Sequence, residues 1–240
     1  IPGVNRSLLH LDELVASGEV SPRYNKYMFV DPIPSVATTF AHGRAVRHFL
    51  ASDHDFALIF EEDVIVNEDL VNSTDVMDLV HTLIDKMPPG WHEVNMGRCA
   101  DFCPPQRFRA QINEKLKLIQ SHWAMCSSGY LLSREGAKRL DYLFHHDIIG
   151  PNDVIKAQAF VAGTYHQYSL TPRVFEQSGR CGVTGCGVVP ECEPQNYHGW
   201  MKARYGVDIP FSRPLEPEEV RRLQERFPLD LNVASIDWFG

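Results

Sequence analysis

Three consecutive acids, Glu61, Glu62 and Asp63, close the apolar run Ala57-Leu58-Ile59-Phe60 and are the residues best suited to chemistry. An apolar run of this length between polar bounds predicts a buried strand of a parallel sheet. Three carboxylates cannot share a dry core with it, because an unpaired buried charge is too costly. They should emerge at the carboxyl edge of the sheet, where open α/β folds place their ligand crevice. Glu61 and Asp63, two residues apart, suit a divalent cation that in turn holds a diphosphate. Glu62 falls on the opposite face if strand geometry continues one residue further. The plainer reading of the triplet is an ordinary acidic loop after a strand.

Other polar residues offer weaker chemistry. Arg98, Arg107 and Arg109 cluster on one segment and could clamp a phosphate or an acidic acceptor, or form a solvated loop face. His145-His146-Asp147 has metal-ligating residue types, but adjacent residues rarely hold one ion without a further partner.

These residues must be positioned by alternating helices and strands. Ser35 is an N-cap candidate for a helix to about Ala51, with Ala41, Ala45, Val46, Phe49 and Leu50 as its apolar stripe. A strand over 56–60 follows. Ser73 or Thr74 can cap the next helix, where Val76, Leu79, Val80, Leu83, Ile84 and Met87 keep helical spacing until Pro88-Pro89 ends it. Trp91–Met96 reads as a strand closing at Gly97, and residues 98–114 read as a long loop. Leu116–Gln120 and Gly129–Leu132 read as strands, and Ser133 caps a helix from Arg134 to about Phe144. Alternation of this kind predicts an α/β sandwich. Beyond Gln177 the texture changes: residues 178–200 are dense in Gly, Cys and Pro, and Glu216-Pro217-Glu218-Glu219 opens a last helix with acids at its positive end. Leu223 and Phe227 can pack that helix onto the body as a structural clasp.

Composition narrows the class. Of 240 residues, 44% are apolar and 22% charged, as in a globular chain able to bury a full core. A formal charge of −8 leaves no basic field for nucleic acid. No segment approaches the ~18–20 unbroken apolar residues that span a bilayer. The chain begins at Ile1 rather than Met, so an upstream portion is expected, in which a leader, anchor or first strand could lie. Six cysteines include the close pairs Cys99/Cys103 and Cys181/Cys186, with Cys192 after the second. Their spacing favours disulfides over zinc and leaves connectivity open. Asn5-Arg-Ser7 and Asn72-Ser-Thr74 match the N-glycosylation pattern. A secretory lumen or the extracellular space is the compartment this combination predicts.

The ordered series SVATTFAHGRAVRHFL, FALIFEEDV, WHEVNMG, SSGYLLSREGAKRL and GPNDV resembles the family 25 glycosyltransferases, which include lipooligosaccharide and procollagen galactosyltransferases. The resemblance spans about residues 33–177. It implies a GT-A-like open mixed sheet flanked by helices over residues 1–177, followed by a Cys/Gly/Pro-rich extension over 178–240. The triplet here is Glu-Glu-Asp where the family has Glu-Asp-Asp, Ala41 replaces the Ser before His42, and the family's opening strand is missing. The implied activity is transfer of a hexose, galactose or glucose, from a UDP-sugar to a hydroxyl of a glycan, protein or lipid-linked acceptor, with Mn²⁺ or Mg²⁺. Asp63 would be the direct metal ligand, with Glu61 on the metal, the ribose or the sugar. His42 and Arg98 would lie on the nucleotide side, although His42 also fits a hydrogen-bonded core residue. Inversion at the sugar carbon would need a base, and Asp153 matches the family's Pro-x-Asp segment, although it could equally satisfy free N–H groups at a helix start. Tyr130 and Gly136-Ala137 read as a packed strand–helix joint. The competing class is a glycosyltransferase-like domain that no longer catalyses and serves as a secreted structural or carbohydrate-binding module. A zinc-binding redox protein rests on the cysteine count alone.

Overall fold

The computed structural model describes residues 1–22, 24, 32–72, 75–98, 107–121, 124–146, 148–177 and 217–226. The described elements run, after a short 3₁₀ turn at Arg6–Leu8, as α1 (Leu11–Ala16), α2 (Ile33–Leu50), β1 (Phe56–Phe60), β2 (Val64–Val66), α3 (Val76–Lys86), β3 (Glu93–Asn95), β4 (Arg107–Gln111), β5 (Lys117–Gln120), β6 (Gly129–Ser133), α4 (Arg134–Leu143), α5 (Asn152–Val161), β7 (Gln167–Thr171), β8 (Phe175–Gln177) and α6 (Pro217–Arg226).

Six strands form one mixed sheet in the order β1-β6-β3-β7-β5-β4, and β2 pairs with β8 in a separate ladder. Only β3 and β7 run parallel; every other neighbouring pair is antiparallel. The ends of β1 and β3 and the start of β6 therefore meet at one sheet edge. Side chains alternate across the sheet with period two. Ala57, Ile59, Tyr130 and Leu132 face one apolar cluster with α2, α4 and α5; Leu58, Val94, Met96 and Leu131 face the other with α3. The result is a three-layer α/β/α arrangement.

The local chemistry explains the best-defined joints. Ser133 caps α4 by accepting the Gly136 N–H at 3.1 Å, while its own hydroxyl donates to the Trp91 carbonyl. A Cβ on Gly136 would stand 2.4 Å from the His92 carbonyl oxygen, so the close docking of α4 on β3 needs glycine. Gly136 and Ala137 are thus the packed strand–helix joint that the sequence predicts. On α3, Val76, Leu79, Val80 and Leu83 are buried, following the predicted spacing.

Three sequence expectations need correction. β1 is antiparallel to β6 and is the outermost of the described strands on its side of the sheet, where a strand of a parallel sheet was expected. Nor is the strand buried as expected: Phe56 and Phe60 are exposed and Ala57, Leu58 and Ile59 only half-buried, so the continuous apolar run marks a strand with partial cover on both faces. The Glu61 N–H donates to the Ser128 carbonyl and the Arg134 N–H to the Asp55 carbonyl, so odd-numbered residues of β1 face β6. Backbone groups of Phe56, Leu58 and Phe60 then lie along the outer edge. The second correction is β4, which occupies part of the predicted loop 98–114. It is a short, Arg-bearing edge strand with a register shift between Phe108 and Ala110, features that mask strand periodicity. The third is the start of α2, which lies at Ile33 with Pro34 in its first turn. Ser35 sits inside the helix, where its hydroxyl accepts from Tyr24 Oη at 2.9 Å.

In α6, the Arg226 guanidinium lies 5.4 Å from the centre of the Tyr142 ring on α4. Leu223 and Phe227, the residues predicted to clasp this helix to the body, lie outside the described side chains, as do the cysteines of 178–200. Among the described residues no helix is long and apolar enough to cross a membrane.

Candidate functional site

β1 delivers Glu61 to the sheet edge, and the turn to β2 carries Glu62 and Asp63. Glu62 is exposed, whereas Glu61 and Asp63 are half-buried. All three line a groove of about 1220 Å³ that runs along β1 and α2 and is also lined by His42 and Gln177. Phe60 at its margin is 45% exposed and meets Phe175 edge-on, 4.8 Å between ring centres.

Glu61 receives two side-chain donors, His42 Nε2 at 3.3 Å and Gln177 Nε2 at 3.1 Å. Gln177 reaches it because β8 pairs with β2 in the register Val64–Gln177. Burial works to raise the Glu61 pKa, but the contact with His42, the Gln177 bond and the Lys156 charge outweigh it. The carboxylate is held below its ordinary value. His42 is buried on α2, and its other ring nitrogen, Nδ1, is 2.9 Å from Tyr130 Oη on β6.

From Tyr130 the polar chain continues inward. Lys156 Nζ lies 4.4 Å over the Tyr130 ring and donates to Glu93 Oε1 at 2.8 Å, and neither Lys156 nor Glu93 has any exposed side-chain surface. Glu93 also accepts from Gln167 Nε2 at 2.9 Å and Tyr165 Oη at 2.8 Å. Tyr165 stacks on His92, whose pKa is pushed down to about 2 by burial and then by the Arg139 and His166 charges.

Asp153 sits in the first turn of α5, where Pro151 is the cap residue. Its Oδ1 accepts the Val154 N–H at 2.8 Å and its Oδ2 accepts the Cys126 N–H at 2.9 Å. The carboxylate therefore satisfies backbone donors, one of them outside its own helix. Burial raises the Asp153 pKa, the Glu61 charge adds to the rise, and the two N–H donors and Lys156 only partly offset it. Cys126 has φ of +67°, a conformation that non-glycine residues rarely adopt, and its carbonyl accepts from Asn95 Nδ2 at 2.7 Å. It is disulfide-bonded to a cysteine outside the described residues. Beside this cluster, Ser127 Oγ and Asn152 Nδ2 are buried and have no hydrogen-bond partner among the described residues.

The structure thus brings Glu61, Asp63 and His42 to one groove and sets Asp153 within range of the Glu61 charge. Arg98 is buried just past β3. Arg109 does not converge on this site: its guanidinium bonds Gln120 on the neighbouring strand β5. The Arg107 side chain lies outside the described residues. His145 Nδ1 contacts the Asp141 carbonyl at 2.8 Å and carboxylate at 3.1 Å, while His146 Nδ1 donates to the Tyr142 carbonyl, so both tie off the end of α4. Among the described residues no group of three His, Cys, Asp or Glu side chains gathers in a way that could hold a metal.

Gln177, Lys156 and Glu93 were missed by sequence reasoning, and Tyr130 was read only as packing. Signals existed for two of them. Lys156 interrupts Val154-Ile155-Lys156-Ala157, and Glu93 occupies one inward position of a short strand; a charge in either place needs a buried partner. Gln177 had no local signal, because only strand pairing brings it to Glu61.

No protein-family model matches the chain, and a search of curated proteins finds no match to it.

Proposed function

We propose that this protein is a metal-dependent glycosyltransferase that moves a hexose from a UDP-sugar to a hydroxyl acceptor. The observation that carries this reading is a pair of carboxylates with opposite character at one sheet edge. Glu61 is held ionised by its donors on an open groove, whereas burial makes Asp153 a stronger base than an ordinary aspartate. Two sites pushed apart in this way suit a binding carboxylate and a proton acceptor. Asp153 would take the proton of the acceptor hydroxyl, and Ser127 Oγ and Asn152 Nδ2 beside it are buried groups that a ligand could satisfy. Arg98, just past the end of β3, is the cation assigned to the diphosphate in this reading.

Asp63 offers only oxygen atoms, the donor type that Mn²⁺ and Mg²⁺ favour, and would hold such an ion together with diphosphate oxygens and water, while Glu61 would face the ribose or sugar hydroxyls or reach the ion through water. The ion's contribution is to neutralise charge on the departing diphosphate. The groove of about 1220 Å³ has room for a nucleotide sugar.

The alternative, a non-catalytic carbohydrate-binding or structural module, is favoured by the outer edge of β1. No described strand pairs with that edge, and a nucleotide pocket beside an unpaired strand would be open on one side. Calorimetry with UDP separates the readings. The transferase reading expects UDP binding in Mn²⁺, its loss in EDTA and its loss in Asp63→Ala with Mn²⁺ present, together with hexose transfer or donor hydrolysis from a panel of UDP-sugars. Saccharide binding without UDP binding would establish the module instead.

A further inference from the structure

Glu61's environment depends on a residue that never touches it. A neutral imidazole has one N–H and one bare lone pair, so the two contacts of His42 are linked. If Nδ1 accepts from Tyr130, the ring proton sits on Nε2 and points at Glu61, 3.3 Å away. If the proton sits on Nδ1 instead, Nε2 turns a lone pair toward the carboxylate and the contact becomes repulsive. Ionised Glu61 can only accept, so the arrangement that satisfies both contacts has the ring proton on Nε2 and the Tyr130 hydroxyl donating to Nδ1.

Tyr130 keeps a proton to donate. It is fully buried on β6, and burial first, then the Glu93 and Glu61 charges, raise its pKa well above the ordinary phenol value, so it keeps its proton. Its ring is clamped by the Lys156 ammonium 4.4 Å away, itself tied to Glu93. With Nε2–H directed at one Glu61 oxygen and Gln177 at the other, the remaining lone pairs of Glu61 are left to the groove. A carboxylate held this way offers only acceptors, which suits the hydroxyl groups of a ligand.

The geometry points to Tyr130 as a positioning residue that locks His42 in its Nε2–H tautomer and thereby orients Glu61 toward ligand hydroxyls. This rests on the proposed nucleotide-sugar site, but the lock itself can be tested without any ligand.

The test uses the full chain labelled with ¹⁵N-histidine. Long-range ¹H–¹⁵N correlation at about pH 8, above the ordinary histidine range, reports the tautomer of each ring. The His42 signal is assigned by its loss in His42→Gln. Wild-type protein should show a protonated Nε2 and a bare Nδ1 at His42. Tyr130→Phe keeps the ring and the Lys156 contact, so it should fold, yet it should move His42 to a mixture of tautomers. UDP affinity in Mn²⁺ should fall about 10-fold with it, the size expected for one charge-assisted hydrogen bond. A wild-type His42 protonated on Nδ1 or on both nitrogens would overturn the lock, as would an unchanged tautomer in Tyr130→Phe. A shifted tautomer with unchanged UDP affinity would overturn the positioning role. Should wild-type protein bind no UDP at all, the proposed function fails, while the NMR result still decides the lock.

Discussion

Glu61, one residue past the end of β1, and Glu93, on β3, are carboxylates on the same side of the sheet, and they teach opposite lessons. Glu93 is sealed: with no exposed surface, it receives Lys156, Gln167 and Tyr165 and has an opposite charge at 2.8 Å. Glu61 is at the mouth of the groove with two donors, neither of them a lysine or arginine. A carboxylate whose donors and counter-charge are all internal serves the scaffold. One that is held ionised yet faces an open groove keeps acceptor capacity for something outside the protein. Tyr130, His42 and Lys156 join the two, so the sealed end stiffens the open one.

The comparison is broken most directly at Lys156. Lys156→Met strands Glu93 without a cation, and urea denaturation should show a loss of about 3–5 kcal/mol, the usual penalty for removing one member of a buried pair. Lys156→Met with Glu93→Leu should recover part of that loss. A cost below about 1 kcal/mol in the single variant would mean that Glu93 is not sealed.

At the open end the larger effect should be on rate. Asp153→Asn keeps an oxygen for the Val154 or Cys126 N–H but loses basicity. Transfer measured by product formation should drop at least ~10²-fold, the lower range of general-base effects, without loss of folding stability. Near-normal turnover would reduce Asp153 to a structural acceptor.

A smaller change is expected for Glu61→Gln. UDP-sugar affinity by calorimetry should weaken about 10-fold, as for loss of a hydrogen bond to a charged group, while folding stability moves far less than in Lys156→Met. The opposite ranking would make Glu61 the structural carboxylate.

The subtlest difference lies in pH. The folded pKa of Glu61 is depressed, so its stabilisation is present above the unfolded value and is lost as pH falls through the folded one. Asp153 is shifted upward, so its ionisation costs stability as pH rises from its unfolded value through its folded value. Melting curves from about pH 3 to pH 8 should therefore show Glu61→Gln losing stability relative to wild type on the neutral side and Asp153→Asn gaining it. Both differences should shrink in acid, where the wild-type carboxylates are protonated. Matching slopes for the two variants would contradict the assigned environments.

Much of this arrangement was legible along the chain. The run Phe56–Phe60, the spacing of Val76, Leu79, Val80 and Leu83, and the Ser133 cap each state a local preference that the fold obeys, because hydrophobic periodicity and capping act within a few residues. The end of β1 as the place for Glu61 and Asp63 follows from the same logic, since charge cannot continue an apolar strand into a core. Strand direction, the β1–β6 pairing and the identity of Glu61's partners did not follow. His42 lies 19 residues from Glu61 and Gln177 lies 116 away. Cys126 and Asp153 meet across 27 residues, and Lys156 and Glu93 across 63. Such contacts are set by which helices and strands pack together, and no local propensity encodes that choice. The sequence by itself determined where the acids stand along the chain; tertiary packing alone decided which of them would be sealed and which left open.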